Sequence, residues 1–483
     1  MKAEKSIIIN FIFNFLKTLS TLLFPVITFT YSARILGVAG IGKVSFARSV
    51  TTYFTMFAML GMNYYGTREA AKVRDDKDKL SGYVHEMLMV NGITTVFAYM
   101  LLSLSIYFVP RLQGYSTLLL INSASILLQG MGMEWLYQGL EEYRYIAARS
   151  VLFQTAALVA MLVFVKTADD VVAYAIIYTI ATSGSYVLNF INARKYISFQ
   201  WYGNYKIKKH IKPLLWLFAM AVSIELYTVL DSTMLGFLKG DEAVGMYTAA
   251  VKVNRLTNTL ITSLGVVLIP RLSYYIGLGQ MEYVKKLIDK TYNFVFLLSV
   301  PACVGLFMLS DEIILLFSGT EFASAGMTMR ILTPIVLVIP FSVVTNQQTF
   351  VPMGKEKLIL ISTCAGAVTN FICNLILIPQ FAENGAAVAT VLAEIVVAIV
   401  CFINAKGLFS IGSIFKNYYQ YWIAALPIPM IAWWSGMLSM HYVLRMILIV
   451  TISIIAYFGI LLFFKNQYME YAVIALRNRL QRK

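Results

Sequence analysis

Charge is scarce in this chain. Only 13% of its 483 residues are Asp, Glu, Lys or Arg, against roughly 25% in a soluble domain. Histidine is rarer still, three residues in all, and His85, His210 and His441 lie far apart. With no HExxH and no Ser/His/Asp grouping, neither zinc hydrolysis nor triad chemistry has the residues it needs. The four cysteines (Cys303, Cys364, Cys373, Cys401) all fall in apolar stretches without a CxxC or Cys/His spacing. They read as small core residues. A phosphate loop is missing too. Gly37-Val-Ala-Gly-Ile-Gly42-Lys43 approaches one, but Val44 stands where the magnesium ligand needs a hydroxyl. The chain therefore reads as neither an enzyme nor an ATPase.

What is there is apolar: 59% hydrophobic, with a mean hydropathy of +0.73. A bilayer-spanning helix needs about 20 such residues. Fourteen candidate spans are centred near residues 20, 50, 95, 125, 157, 180, 225, 257, 300, 335, 367, 393, 428 and 453. Barrel strands would alternate apolar and polar, whereas Ile447 to Phe464 is apolar on all sides. The expected fold is an all-α polytopic membrane protein. The first span lacks a small-residue cleavage site after it and reads as a retained helix. Prolines 25, 301, 334, 340, 427 and 429 fall within spans, where each removes a helix hydrogen bond and favours a bend.

The net charge of +15 suggests nucleic acid, but its distribution suggests a membrane. Basic residues crowd alternate loops, notably Arg68 to Lys79 and Arg194 to Lys212, and the tail from Arg477 to Lys483. The intervening loops are acidic or nearly neutral: Asp169 and Asp170, Asp241 and Glu242, Asp311 and Glu312. This is positive-inside patterning. It implies an even number of spans, both termini in the cytoplasm, and a tail facing lipid headgroups, with no nucleic-acid partner.

The basic, aromatic stretch 193–213, ending in Pro213, divides the first twelve spans six and six. The division is a lobe 1–210, a lobe 211–410, and 411–483 as an added helix pair with a basic tail. The lobes echo each other. If Gly42 is set on Gly245, Arg48 falls within one residue of Lys252, as parallel repeats would require.

Three cations lie within spans: Arg48, Lys252 and Arg255. Each costs at least ~2.5–3.5 kcal/mol there and is expected to face a bundle interior or watery cavity. Thr248, Lys252, Arg255, Thr259 and Ser263 share one helix face, as do Ser45, Arg48, Thr52 and Thr55, and Asn10, Asn14, Lys17 and Thr21. Asn370 and Asn374 form another such pair. The stripes predict a central cationic cavity and an anionic cargo. Lys17 fits either a cavity or a snorkelling position. Asp231 is the obvious acid to balance Lys252 or Arg255, and that pairing would satisfy them without cargo. Glu225 and Asp231 are also candidates for proton coupling, and carboxylates with hydroxyls for sodium. No other cofactor is implied.

Several segments carry a family resemblance: Arg34-Ile-Leu-Gly, Gly42-Lys-Val-Ser-Phe-Ala, Gly61-Met-Asn-Tyr-Tyr-Gly-Thr-Arg68-Glu69-Ala-Ala, and above all Glu134-Trp-Leu-Tyr-Gln-Gly-Leu-Glu141-Glu-Tyr-Arg. Together with Asp231 and Gly245-Met-Tyr-Thr-Ala-Ala-Val-Lys252, they resemble the polysaccharide-export flippases. These belong to the superfamily of the lipid II flippases and multidrug exporters. The resemblance spans residues 1–410 and is loose beyond. It implies two six-helix lobes around a cationic cavity in the bacterial cytoplasmic membrane. It implies alternating-access movement of an undecaprenyl-diphosphate-linked oligosaccharide for O-antigen, capsule or exopolysaccharide assembly. Arg48, Lys252 and Arg255 would hold the diphosphate, Lys17 and Arg330 would be weaker contributors, and a polymerase and a chain-length regulator are the expected partners besides membrane lipids. A lipid II flippase, a drug or cation exporter, and a non-transporting scaffold for polymer synthesis stand as alternatives.

Overall fold

In hydrocarbon every backbone amide must be satisfied within the chain, and helices achieve this segment by segment. The computed structural model describes residues 7–200, 203, 205–266, 269–406, 418–466 and 468–469, with side chains from residue 24 on except 220, 224, 226, 227, 264–266, 269 and 270. Among these residues there is no β-strand, and each of the fourteen apolar segments lies in helix. Eight helices are long and apolar enough to cross a membrane, or ten if two bent pairs each count as one span. Two of the eight, Phe24–Val73 and Glu356–Asn404, run to 50 and 49 residues, more than twice one crossing of about 20. The chain is a multi-pass membrane protein.

Both long helices are broken where a second span begins. Gly37 takes φ 66°, ψ −176° inside Ile7–Met59, a conformation open to glycine at little cost. Ala382 takes φ 47°, ψ −126° inside Glu356–Asn404, three residues after Pro379. A Cβ makes that turn strained. Bends also divide Lys208–Ser223 from Thr228–Leu238 by 60°, and Ala325–Leu332 from Ile335–Phe350 by 42°.

The chain packs as two compact units, Met1–Thr248 and Ala249–Lys483. By packing, the helix Lys208–Leu238 belongs to the first unit; the six-and-six division at 210/211 counts it in the second by order along the chain. The basic stretch before it is tied down within the first unit. Ser198 N–H donates to Ser81 Oγ (2.9 Å) and Lys206 N–H to Glu86 Oε1 (2.6 Å). Buried His210 lies between Glu86 Oε2 and the Tyr65 hydroxyl, 2.7 Å from each. Lys209 adds an ion pair to Glu86 at 3.0 Å. Histidines that look unconnected in the sequence thus include one buried link. Outside the spans, Asp76 caps the helix Lys77–Phe108. The Lys79 backbone amide and ammonium together hold its carboxyl below the usual carboxylate range.

Each glycine of the sequence echo packs against the segment of the other. A Cβ on Gly42 would lie 1.8 Å from the Asp241 carbonyl oxygen, and one on Gly245 would lie 2.2 Å from that of Val38. The two segments therefore cross backbone to backbone, which only small residues permit. Alongside, Thr233 Oγ1 donates to Ser49 Oγ at 2.9 Å, and Phe46 occupies the space a Cβ on Gly236 would need.

The second unit has a separate core around Tyr292, Phe296, Phe350, Tyr421 and Tyr457. The Tyr292 hydroxyl meets Thr345 Oγ1 at 2.6 Å, on a π-helical stretch Val344–Phe350. Tyr457, on the helix Tyr442–Phe463, donates to the Leu297 carbonyl at 2.8 Å. The added pair of helices is thereby fastened into this unit.

Gly42→Ala and Gly245→Ala should each lower the yield of folded protein and its unfolding temperature in detergent. Gly82→Ala, with open space at its Cβ position, should be neutral or stabilising by about 0.5–1 kcal/mol. Equal behaviour of the three variants would contradict the close crossing.

Candidate functional site

Polar side chains on membrane helices need one another, water or a ligand. In the first unit they gather around a cavity of about 400 Å³. Its wall is built from the 38–59 segment, Ser116–Gly132, the helix around Tyr178, and Lys208–Leu238. Arg48, Thr51, Thr52 and Thr55 come from the first of these, so the stripe seen in sequence does face a cavity. Ser45 is not part of the lining; Thr51, off the stripe as first drawn, is.

Arg48 places its guanidinium 4.0 Å from the centroid of the Tyr178 ring. A cation over an aromatic face gains about 0.5–2 kcal/mol. Among the described residues Arg48 forms no ion pair. Its N–H donors therefore remain available to an anion in the cavity. Glu225 lines the same cavity from the bend of Lys208–Leu238. The lining thus carries one cation and one carboxylate among hydroxyls and amides.

A second cavity of about 470 Å³ adjoins the first and shares Met59, Asn63, Tyr64 and Gln129 with it. Its far end is formed by Arg68, Glu134, Gln138 and Tyr186. Here the Glu134-Trp-Leu-Tyr-Gln-Gly block acquires a physical meaning. Trp135 fills the space a Cβ on Gly66 would need, so the short helix Glu134–Gly139 lies tightly on Met62–Val73. Arg149, only 2% exposed in its side chain, donates to Glu134 Oε2 at 2.6 Å and to Ser185 Oγ at 2.6 Å. Arg74 joins Glu141 across the same pair of helices at 2.7 Å.

The other expected site residues lie elsewhere. Asp231 is buried and accepts a hydrogen bond from the Tyr247 hydroxyl; it is not among the cavity residues. In the second unit Lys252 is half-buried and Arg255 exposed, while Asn254 and Asn258 on the same helix are buried. Arg330 donates to Asp311 Oδ2 at 2.7 Å and lies over the Phe307 ring. That partner, 19 residues away, occupies its charge. The Lys17 side chain lies outside the described residues. Tyr178, Asn63 and Gln129 went unnoticed in the sequence because no charge or spacing marks them. No group of three or more His, Cys, Asp or Glu able to hold a metal occurs among the described residues.

A many-spanning helical protein with a polar, cation-bearing cavity inside the bundle has the architecture of a membrane transport protein. Residues 7–276 match the family model described as polysaccharide biosynthesis protein, and the chain belongs to that family. Residues 217–376 also match the MatE family model. A putative O-antigen transporter of Escherichia coli (strain K12) is 23% identical over 383 residues, 78% of this chain and 91% of the relative. A probable low-salt glycan biosynthesis flippase, Agl15 of Haloferax volcanii, is 27% identical over 167 residues, 35% of each chain. Among solved structures, the lipid II flippase MurJ in an inward closed conformation superposes with a TM-score of 0.75 at 17% identity, covering 95% of this chain and 100% of that one. An inward-facing multidrug MATE transporter gives 0.59 at 15% identity, covering 78% and 93%. These two likenesses establish the fold.

Replacing Glu134 by Gln or Ala strands the buried Arg149 charge, and such losses cost about 3–5 kcal/mol. Thermal unfolding should show a marked drop for Glu134→Ala, partly restored when Arg149→Met is added. Additive losses in the double variant would contradict the pairing.

Proposed function

We propose that this protein is a flippase that moves undecaprenyl-diphosphate-linked oligosaccharide units across the bacterial cytoplasmic membrane for surface polysaccharide assembly. The observation that carries the reading is Arg48. It is a guanidinium with no ion pair among the described residues, on a polar cavity, in a chain of the polysaccharide biosynthesis protein family, with a relative named as an O-antigen transporter aligned over 91% of its length. A cation in hydrocarbon needs a reason, and an anionic headgroup supplies one. Arg48 binds the diphosphate. Lys252 and Arg255, on their own polar stripe, contribute further charge during the cycle, Lys17 assists from the first helix, and Arg330 acts only structurally. Asp231 and Glu225 balance charge or carry a coupling proton or sodium ion.

Both termini are cytoplasmic, as the loop charges require. The chain performs transport and no covalent chemistry, and it hands its cargo to a polymerase and a chain-length regulator. A lipid II flippase shares the diphosphate cargo and the fold. The alignment to the O-antigen transporter, long on both chains, favours the polysaccharide cargo. A drug or cation exporter would be served by acidic stripes, and these are basic.

Arg48→Glu, Lys252→Glu and Arg255→Glu should each abolish surface polysaccharide in the native host while leaving the protein inserted at normal level, read by immunoblot of membranes and by gel profile of the polysaccharide. Normal polysaccharide in all three would sink the reading. Cell lysis on depletion, with polysaccharide unchanged, would favour lipid II as cargo.

A further inference from the structure

Several threonine and serine hydroxyls around the first cavity have a common orientation in hydrogen-bonding terms. Thr51, Thr52 and Thr55 donate to the carbonyls of Ala47, Arg48 and Thr51 at 2.8, 2.9 and 3.1 Å. Ser125 donates to Asn122 O at 2.7 Å, and Thr182 to Tyr178 O at 3.0 Å. Each hydroxyl has spent its one proton on its own helix and keeps only lone pairs. The carboxylates of Glu225 and Glu134 add further acceptors.

An ionised diphosphate offers acceptors alone, so the back-bonded hydroxyls and the carboxylates suit it poorly, whereas the Arg48 guanidinium suits it well. A sugar ring offers O–H donors, which lone pairs can receive. The stretch shared by the two cavities is lined by Asn63 and Gln129, whose side-chain amides have no hydrogen-bond partner among the described residues. An amide both donates and accepts, as a vicinal diol does. Tyr64, 63% exposed, presents an aromatic ring beside them. Volumes of about 400 and 470 Å³ fall in the range of roughly 300–1,000 Å³ typical of small-molecule sites.

We infer that Asn63 and Gln129 form a glycan-recognition subsite for the sugars carried on the phosphate, in the same cavity as the anion site at Arg48. The inference rests on the flippase reading and adds to it that the cavity discriminates between a glycosylated and a bare lipid diphosphate. Arg48 sets affinity for any lipid diphosphate. The amides and the acceptor wall set affinity for the sugar.

The test uses the full-length protein purified in detergent, with two probes: undecaprenyl diphosphate, and undecaprenyl diphosphate carrying an oligosaccharide. Asn63→Leu and Gln129→Met should weaken binding of the glycosylated probe about five- to tenfold, the scale of one or two lost hydrogen bonds. Binding of the bare diphosphate should stay unchanged, which also shows that the variants are folded. Arg48→Met should weaken both probes. Equal weakening of both probes by the amide variants, or weakening of neither, would overturn the subsite while leaving the flippase reading intact. A wild-type protein that binds neither probe would overturn both.

Discussion

The guanidinium of Arg48, stacked on Tyr178 within an apolar bundle, is the constraint around which the first unit is arranged. A charge at that depth needs polar company. The surrounding helices provide it without opening their backbones, because the threonines of the wall bond back to carbonyls of their own turn. Polar lone pairs thus reach the cavity while the helical hydrogen-bond ladders stay closed. The close crossing of 38–42 with 241–245 belongs to the same design. Its backbone contact at Gly42 and Gly245 fixes the start of the segment that carries Arg48.

The second anchor is at the other end of the paired cavities. Arg149 is buried, and Glu134 satisfies it from a short helix clamped by Trp135 onto Met62–Val73. Both cavity ends therefore depend on an arginine, with different fates. Arg149 is neutralised by protein and serves structure. Arg48 has an aromatic face and, among the described residues, no ion pair, and it is the group proposed to meet the cargo. That contrast, more than the number of cations, separates a binding group from a structural one.

Much of the fold was legible in the sequence. Runs of about 20 apolar residues mark their own helices because the bilayer dictates length, and each of the fourteen segments is helical. Gly42 and Gly245 were singled out by the sequence echo, and each packs against backbone of the other's segment. The Arg48 stripe was visible because 3.6-residue periodicity is local. What escaped was set by tertiary packing. Asp311 reaches Arg330 from another helix, His210 meets Glu86 across 124 residues, and Tyr178 arrives beneath Arg48 from a distant span. Asn63 and Gln129 carry no charge and sit at no telling spacing, so only the cavity picks them out. The expected cationic character is mixed within this unit, where Glu225 and the hydroxyls share the wall of the first cavity with the single arginine.

The account is tested most directly by reconstituting the protein in liposomes that carry undecaprenyl-diphosphate oligosaccharide and timing the appearance of the glycan at the opposite face with a membrane-impermeant glycosidase. Wild-type protein is predicted to expose the glycan far faster than protein-free liposomes, and Arg48→Glu is predicted to fall to the protein-free rate. Equal rates for wild type and Arg48→Glu, or a wild-type rate no faster than bare liposomes, would contradict it.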